Sequence, residues 1–215
     1  MSEIFREVDE EVRQDQYLGL WKRYGPYAIA GAAAIVVLTA GFIGWQEYQR
    51  SEREAESIHY TAALRLWGIG DASAAAEAFG DLAVSTRSGY SVLARLQQAG
   101  AAADSNPAVA VELYDRLAAD TGVPAVFRNL ASLRAAMLLI DTAAPNDLYP
   151  RFVTLVADNN PWRFVAREMR ALVDLQAGKV DEARTTYKKL VDDDGAPQGI
   201  RARAAEMLAV LGTNG

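Results

Sequence analysis

The sequence feature that most constrains the fold is a pattern that recurs four times beyond residue 58. Each copy has a small or apolar residue, an aromatic residue four positions later, and a leucine three positions after that. The copies are Ala75…Phe79…Leu82, Ala110…Tyr114…Leu117, Leu148…Phe152…Leu155 and Ala183…Tyr187…Leu190. Their aromatic residues are 35, 38 and 35 positions apart. A nearly fixed period of this length indicates a chain built from stacked structural repeats.

A second series of apolar or small residues lies twelve and fifteen positions before each aromatic residue. It comprises Trp67, Ala102, Ile140 and Leu175, and then Leu64, Ala99, Met137 and Leu172. Turn-forming residues separate this series from the first one in every unit, so we predict two helices per unit. The A helices are predicted at 53–68, 88–103, 125–140 and 161–176, with a closing helix at 199–211. The B helices are predicted at 71–86, 107–120, 146–158 and 179–193.

This period, with an alanine four positions before an aromatic residue, is the signature of tetratricopeptide repeats. The small residue lets helices A and B approach each other, and the aromatic side chain fills the gap to the next unit. The abundance of alanine and the presence of only seven prolines also favour helices. We therefore predict an all-α chain in which residues 58–215 form a tetratricopeptide-like helical solenoid.

A second constraint is the segment 27–45, which contains no charged residue. As a helix that rises about 1.5 Å per residue it is roughly 28 Å long, close to the thickness of a bilayer's hydrocarbon core. Trp21, Tyr24 and Tyr27 lie at one border and Trp45 and Tyr48 at the other, as aromatic residues do at membrane interfaces. We predict a single N-terminal transmembrane helix at 27–45. A buried core helix and a cleaved signal peptide are the two alternative interpretations.

The regions on either side of the predicted span differ in composition. Residues 1–24 are polar and acidic, with an apolar stripe that suits a short amphipathic helix, formed by Ile4, Phe5, Val8 and Val12. We predict that this acidic cytoplasmic tail is interrupted at Gly25-Pro26. Residues 46–57 are rich in helix formers with mixed charges and are predicted to be a helical stalk that continues into the first repeat.

The sequence contains no recognisable catalytic, cofactor-binding or metal-binding motif. There is one histidine, His59, and no cysteine, which excludes thiol catalysis and thiolate metal sites. The run Asp192-Asp193-Asp194 lacks the alternating ligand spacing of a calcium loop. The net charge of −6 argues against nucleic acid as a partner. We therefore expect neither an enzyme nor a small-molecule substrate or cofactor.

The distribution of arginine gives a hypothesis for protein binding. The A helices carry several arginines, whereas the B helices carry many of the acidic residues. Because A helices line the concave surface of a helical solenoid, that surface is expected to attract acidic or backbone-rich segments of a partner. The alternative is that the same arginines form salt bridges between helices. The candidate partner-binding residues are Arg95, Arg128, Arg134, Arg163 and Arg167.

Several segments together resemble one known family. These are the acidic tail Ile4-Phe5-Arg6-Glu7-Val8-Asp9-Glu10-Glu11, the segment Leu20-Trp21-Lys22-Arg23-Tyr24-Gly25-Pro26, a span that ends at Gly44-Trp45, and the degenerate repeats. The chain resembles the YfgM-like family of ancillary subunits of the bacterial SecYEG translocon. The resemblance implies a cytoplasmic N-terminus and a periplasmic repeat domain. It also implies translocon subunits, a membrane-anchored periplasmic chaperone and secreted clients as partners, and no catalytic residues.

Charge near the span supports the same orientation. Arg13, Lys22 and Arg23 precede the span closely, whereas only Arg50 and Arg53 follow it as closely, and positive charge favours the cytoplasmic side. Together with this orientation, the resemblance implies a single-pass protein of the bacterial inner membrane that acts as a periplasmic scaffold or chaperone-like protein beside the translocon. The alternative function is a structural adaptor that assembles another cell-envelope complex.

Overall fold

The computed structural model describes the backbone of residues 3–86 and 89–212. Within the first helix, the side chains of residues 3–22, 24–25, 28–30, 32–34 and 52–53 lie outside this description. The secondary structure of the described residues is entirely helical. The helices are α1 (Glu3–Gly68), α2 (Ala72–Ser85), α3 (Gly89–Ser105), α4 (Pro107–Ala119), α5 (Ala125–Leu139), α6 (Pro145–Phe152), α7 (Arg163–Gln176), α8 (Val180–Asp192) and α9 (Gln198–Leu211).

Local sequence explains where several helices begin. The carboxylate of Asp71 accepts a hydrogen bond from the backbone N–H of Ala74 at 3.1 Å and caps α2. The side chain of Asn106 caps α4 in the same way. Gly70 and Gly178 have φ angles of 90° and 74° in the turns before α2 and α8. This left-handed backbone conformation favours glycine, so both turns depend on that residue type.

The chain divides into two compact units, Met1–Ala55 and Glu56–Gly215. The first unit belongs to α1, and Pro26 lies inside that helix. The predicted interruption at Gly25-Pro26 is therefore wrong: the proline removes one backbone hydrogen bond, and the helix continues past it. The apolar stripe predicted in the tail lies outside the described side chains.

The first unit exposes large apolar side chains between residues 35 and 48. Consecutive residues of a helix point in directions about 100° apart, so this apolar surface extends around the helix. Among the residues that the structure describes, no helix is long and apolar enough to cross a membrane. The exposed side chains, each between 58% and 73% accessible, are Ile35, Val36, Val37, Leu38, Phe42, Ile43, Trp45 and Tyr48.

The second unit is a series of paired helices with one apolar cluster for each predicted repeat. Phe79, Tyr114, Phe152 and Tyr187 each lie in a different cluster. The small or apolar residue and the leucine of every copy are buried as well. The predicted repeat register is therefore confirmed for the B helices.

Hydrogen bonds between side chains and the next repeat connect neighbouring units. In each of them the two residues are one repeat apart in the sequence. Each of these contacts joins a repeat to the next one in the sequence, as expected for a solenoid. The pairs, separated by 35 to 37 residues, are Tyr60–Gln97, Trp67–Asp104, Asp115–Arg151, Val126–Trp162, Ile140–Gln176 and Glu168–Arg203.

The third B helix is shorter than predicted, because α6 ends at Phe152 rather than at residue 158. Pro150 lies inside α6 and has no N–H to donate. The N–H of Val153 bonds to the carbonyl of Pro150 only three residues back, at 3.5 Å, and the chain continues in turns. Buried Asn160 holds these turns by donating to the carbonyl of Thr154 at 3.1 Å.

In two of the A helices the buried position lies one residue before the predicted one, whereas Ala99 and Ala102 of α3 are buried as predicted. Leu64 and Met137, predicted for this face, are both 38% exposed, whereas the preceding Ala63 and Ala136 are buried. Small residues occupy this position because helix B crosses there at short range. The larger side chains at the next position therefore turn towards the surface of the A helices.

Tyr187 is fully buried, and its hydroxyl has no hydrogen-bond partner in the described part of the chain. Burial, with the nearby carboxylates of Glu168 and Asp174, raises the pKa of Tyr187 to about 12. An unfolded chain ionises this phenol at its ordinary pKa of 10.0. The contribution of Tyr187 to stability is therefore fully present below pH 10 and is lost as the pH rises from 10 towards 12.

We expect Tyr187→Phe to leave the free energy of unfolding at pH 7 unchanged or about 0.5–1 kcal/mol higher, because it removes an unpaired buried hydroxyl. The variant should also lose less stability than the parent chain between pH 10 and pH 12. Urea unfolding at pH 7, 10 and 11.5 measures both effects. A destabilised variant at pH 7 would mean that the hydroxyl is paired in solution.

Candidate functional site

The largely apolar groove between α1, α3 and α5 is the candidate functional site, here called the A-helix groove. Its volume is about 650 Å³, within the range of pockets that bind ligands. The C-terminal end of α1, together with α3 and α5, forms its walls. Tyr114 of α4 also lines it. The lining residues are Trp67, Leu93, Leu96, Gln97, Gly100, Ala103, Asp104, Tyr114, Phe127, Leu130, Arg134, Met137 and Leu138.

Trp67 is held in place at one wall of the groove. Its indole Nε1–H donates to the carboxylate of Asp104 at 2.6 Å, and its ring meets Phe79 edge-on with centroids 6.4 Å apart. A Cβ at Gly100 would lie 2.9 Å from the indole, so the ring rests against the backbone of α3. Glycine weakens a helix interior by about 1 kcal/mol relative to alanine, but here it makes room for the indole.

The polar groups of the groove are few, and most of them have partners. The amide of Gln97 donates to the hydroxyl of Tyr60 at 3.2 Å, and Asp104 accepts from Trp67. Burial raises the pKa of Tyr114. The charge of Arg134 lowers this pKa and that of Asp104 raises it, and the phenol stays neutral. Within the described part of the chain, Arg134 makes no hydrogen bond or ion pair, and its side chain is exposed. The groove therefore presents apolar side chains, Arg134 without an ion-pair partner, and the carboxylate of Asp104, whose charge the neutral indole of Trp67 does not neutralise.

Two of the five arginines proposed from the sequence are tied to carboxylates. Arg95 donates to Asp120 at 2.7 Å, and this bond, with help from the N–H of Gly122, lowers the pKa of Asp120. Arg167 pairs with Asp158 and also donates two hydrogen bonds to the carbonyl of Val156, at 3.1 and 2.9 Å. Both are contacts between helices or between a helix and a loop. They are of the kind expected if the arginines form salt bridges within the domain.

The other three arginines have different surroundings. Arg163 lies over the ring of Phe164 at 4.1 Å and donates to the carbonyl of Asn160 at 3.4 Å. The Nε of Arg128 is buried without a hydrogen-bond partner among the described residues. Arg134 lines the A-helix groove, whereas Arg167 lines a separate cavity of about 690 Å³ beside α8. That all five arginines contact partners stays a prediction.

Replacement of Arg167 should destabilise the protein, whereas replacement of Arg134 should leave its stability nearly unchanged. Arg167→Ser removes two charge-assisted hydrogen bonds from the carbonyl of Val156, and we expect a loss of about 1.5–3 kcal/mol. Arg134→Ser should change stability by no more than about 0.5 kcal/mol, since the side chain is exposed and unpaired. Thermal melts followed by circular dichroism measure both. Similar losses for the two variants would contradict these assignments.

Sequence reasoning missed most of the groove because the groove is apolar. Leu93, Leu96, Phe127 and Leu130 look like ordinary core residues in an alanine-rich helix. The exposure of Met137, one residue beyond the buried alanine, is visible only in the structure. The separate cavity beside α8 is lined mainly by charged side chains that include Asp158, Arg167 and Asp192, so it offers less apolar contact to a protein partner.

Paired helices, one apolar cluster per pair and a groove along the A helices define a helical-repeat protein of the tetratricopeptide class. The model of the tetratricopeptide repeat-like domain family matches residues 19–207, and the chain belongs to this family. Proteins of this class use extended repeat surfaces as scaffolds for protein–protein interaction. Comparison with curated proteins and with solved structures finds no match.

Proposed function

We propose that this chain is a non-catalytic, membrane-anchored scaffold that binds partner proteins through its repeats. The A-helix groove is the observation that carries this proposal. Its apolar walls, with an aromatic side chain fixed in position, resemble the central part of a protein interface, where most binding energy is concentrated. A preformed wall also reduces the entropy lost when a partner is ordered on it.

The proposed anchor is the segment 27–45. The large apolar side chains from Ile35 to Trp45 are exposed, and an apolar surface that extends around a helix requires cover from protein or lipid. Six residues of the segment, 28–30 and 32–34, lie outside the described side chains. The family match begins at residue 19, so it includes this segment as well as the repeats.

The proposed location is the bacterial inner membrane, with residues 1–24 in the cytoplasm and the repeats in the periplasm. The excess of Arg and Lys before residue 27 supports this orientation. The resemblance to YfgM-like proteins supports a position beside the Sec translocon. Its proposed partners are translocon subunits, a membrane-anchored periplasmic chaperone and secreted clients.

Crosslinking in intact membranes of the native host tests the proposed partners. The expected result is recovery of translocon subunits with the full-length chain after denaturing purification. Recovery of a different envelope complex would replace the translocon assignment by the adaptor function and retain the scaffold. Absence of any protein adduct would contradict the scaffold itself.

An alkaline phosphatase domain fused after residue 215 tests the orientation. This reporter is active only outside the cytoplasm, so the fusion is expected to be active. A matched fusion with the reporter before residue 1 is expected to be inactive. The reverse pair of activities would contradict the proposed topology.

A further inference from the structure

The backbone of the walls of the A-helix groove offers no hydrogen bonds to the backbone of a bound segment. Its central lining residues, from Leu93 to Gly100 and from Phe127 to Arg134, lie inside α3 and α5. The backbone N–H and C=O groups there are paired within their own helices. An extended peptide in this groove would bury its own amides without partners, and every such amide weakens binding. A helical segment pairs its backbone internally and avoids that loss.

The dimensions of the groove also suit a helix. Its lining on α3 extends from Leu93 to Asp104 and its lining on α5 from Phe127 to Leu138. At about 1.5 Å per residue each wall is roughly 16 Å long, or about three helical turns. Arg134 lies near the middle of the α5 wall. Of the charged and amide side chains in the groove, Arg134 alone has no partner in the described part of the chain.

We propose that the occupant of the A-helix groove is an amphipathic α-helix of a partner protein, about three turns long, with a carboxylate that pairs with Arg134. This inference rests on the proposed scaffold function and names the chemistry of its partner. The apolar face of the helix packs between Trp67 and Leu130, in the groove-binding mode that uses residues spaced at helical intervals. The carboxylate pairs with Arg134, which has no salt-bridge partner in the described part of the chain, and fixes the direction of the helix.

Designed peptides of about fifteen residues serve as the probe. The first carries leucines at helical spacing and one central glutamate. The second differs from the first only by a proline next to the glutamate, which prevents helix formation, and in the third lysine replaces the glutamate. Fluorescence anisotropy measures their binding to the full-length chain in lipid nanodiscs, with empty nanodiscs as the background.

Two protein variants locate the binding. Arg134→Ser should weaken binding of the glutamate peptide about fivefold, and the loss should shrink at high salt because the charge pair is screened. Arg116→Ser is the matched control, since Arg116 is an exposed arginine on α4 that does not line this groove. It should leave binding unchanged.

Three results would overturn the inference. They are binding of the proline peptide as tight as that of the helical one, equal effects of the two arginine variants, and no binding of the helical peptide. The crosslinking of native membranes separates this failure from failure of the scaffold. Protein adducts there, together with no helix binding here, would leave the scaffold standing with a different occupant.

Discussion

Ala183→Arg is expected to destabilise the repeat domain by about 3–5 kcal/mol. Ala183 is fully buried in the cluster that joins α7, α8 and α9, next to Tyr187 and Leu190. An arginine there overfills a close-packed site and carries an unpaired charge into it. Because domains of this size have a total stability of about 5–15 kcal/mol, the variant should melt roughly 10 °C or more below the parent.

The matched control places the same residue two positions earlier on the same helix. The side chain of Asp181 is 90% exposed and pairs with Arg184 at 2.6 Å. Asp181→Arg loses this exposed pair and a favourable charge in the first turn of α8, which together cost about 1 kcal/mol. Circular dichroism melts of the two full-length variants make the comparison. Equal melting temperatures would contradict the burial of Ala183 among α7, α8 and α9.

Arg203→Ala is expected to cost about 2–3 kcal/mol. Arg203 donates two hydrogen bonds, both of 2.7 Å, to the carboxylate of Glu168, whose side chain is only 7% exposed. Loss of the arginine leaves a buried carboxylate without its partner, which costs about 3–5 kcal/mol where both groups are dry. The expected loss is smaller here because Arg203 is 55% exposed and water can reach the pair.

Arg201→Ala is the control for the loss of a positive charge from α9. Arg201 lies 3.6 Å from Asp194, which is fully exposed, and such pairs contribute no more than about 0.5 kcal/mol. Adding Glu168→Gln to Arg203→Ala should restore part of the stability, because a neutral amide is less costly to bury than a carboxylate. Urea unfolding measures all these variants. A loss for Arg203→Ala no greater than for Arg201→Ala would contradict the role of this pair in docking α9.

The sequence predicted the repeat architecture because its signals are local and recur. The aromatic and leucine positions of the B helices set the register, and four copies in the same order removed the ambiguity of any single one. The end of α6 at Phe152 was not predicted, because a proline such as Pro150 inside a helix does not by itself show where the helix ends. The buried position shifted by one residue at Ala63 and Ala136, because the prediction took the larger neighbouring Leu64 and Met137 as the buried side chains.

The candidate site was less predictable, since arginine content does not show what an arginine contacts. Arg95 and Arg167 find partners in Asp120 and in the turns after α6, and neither loop geometry is visible in the sequence. The apolar groove follows from the tertiary arrangement of α1, α3 and α5. The packing of Trp67 against Gly100 of α3 is likewise a tertiary contact between units.

Site-specific photocrosslinking in native membranes tests the central claim, that partner proteins bind in the A-helix groove. A photoreactive phenylalanine analogue is placed at Leu130, in the groove, or at Val84, which is 89% exposed on α2. Adducts with partner proteins are expected to be several-fold more abundant from Leu130 than from Val84. Equal yields, or more adduct from Val84, would contradict binding in the groove.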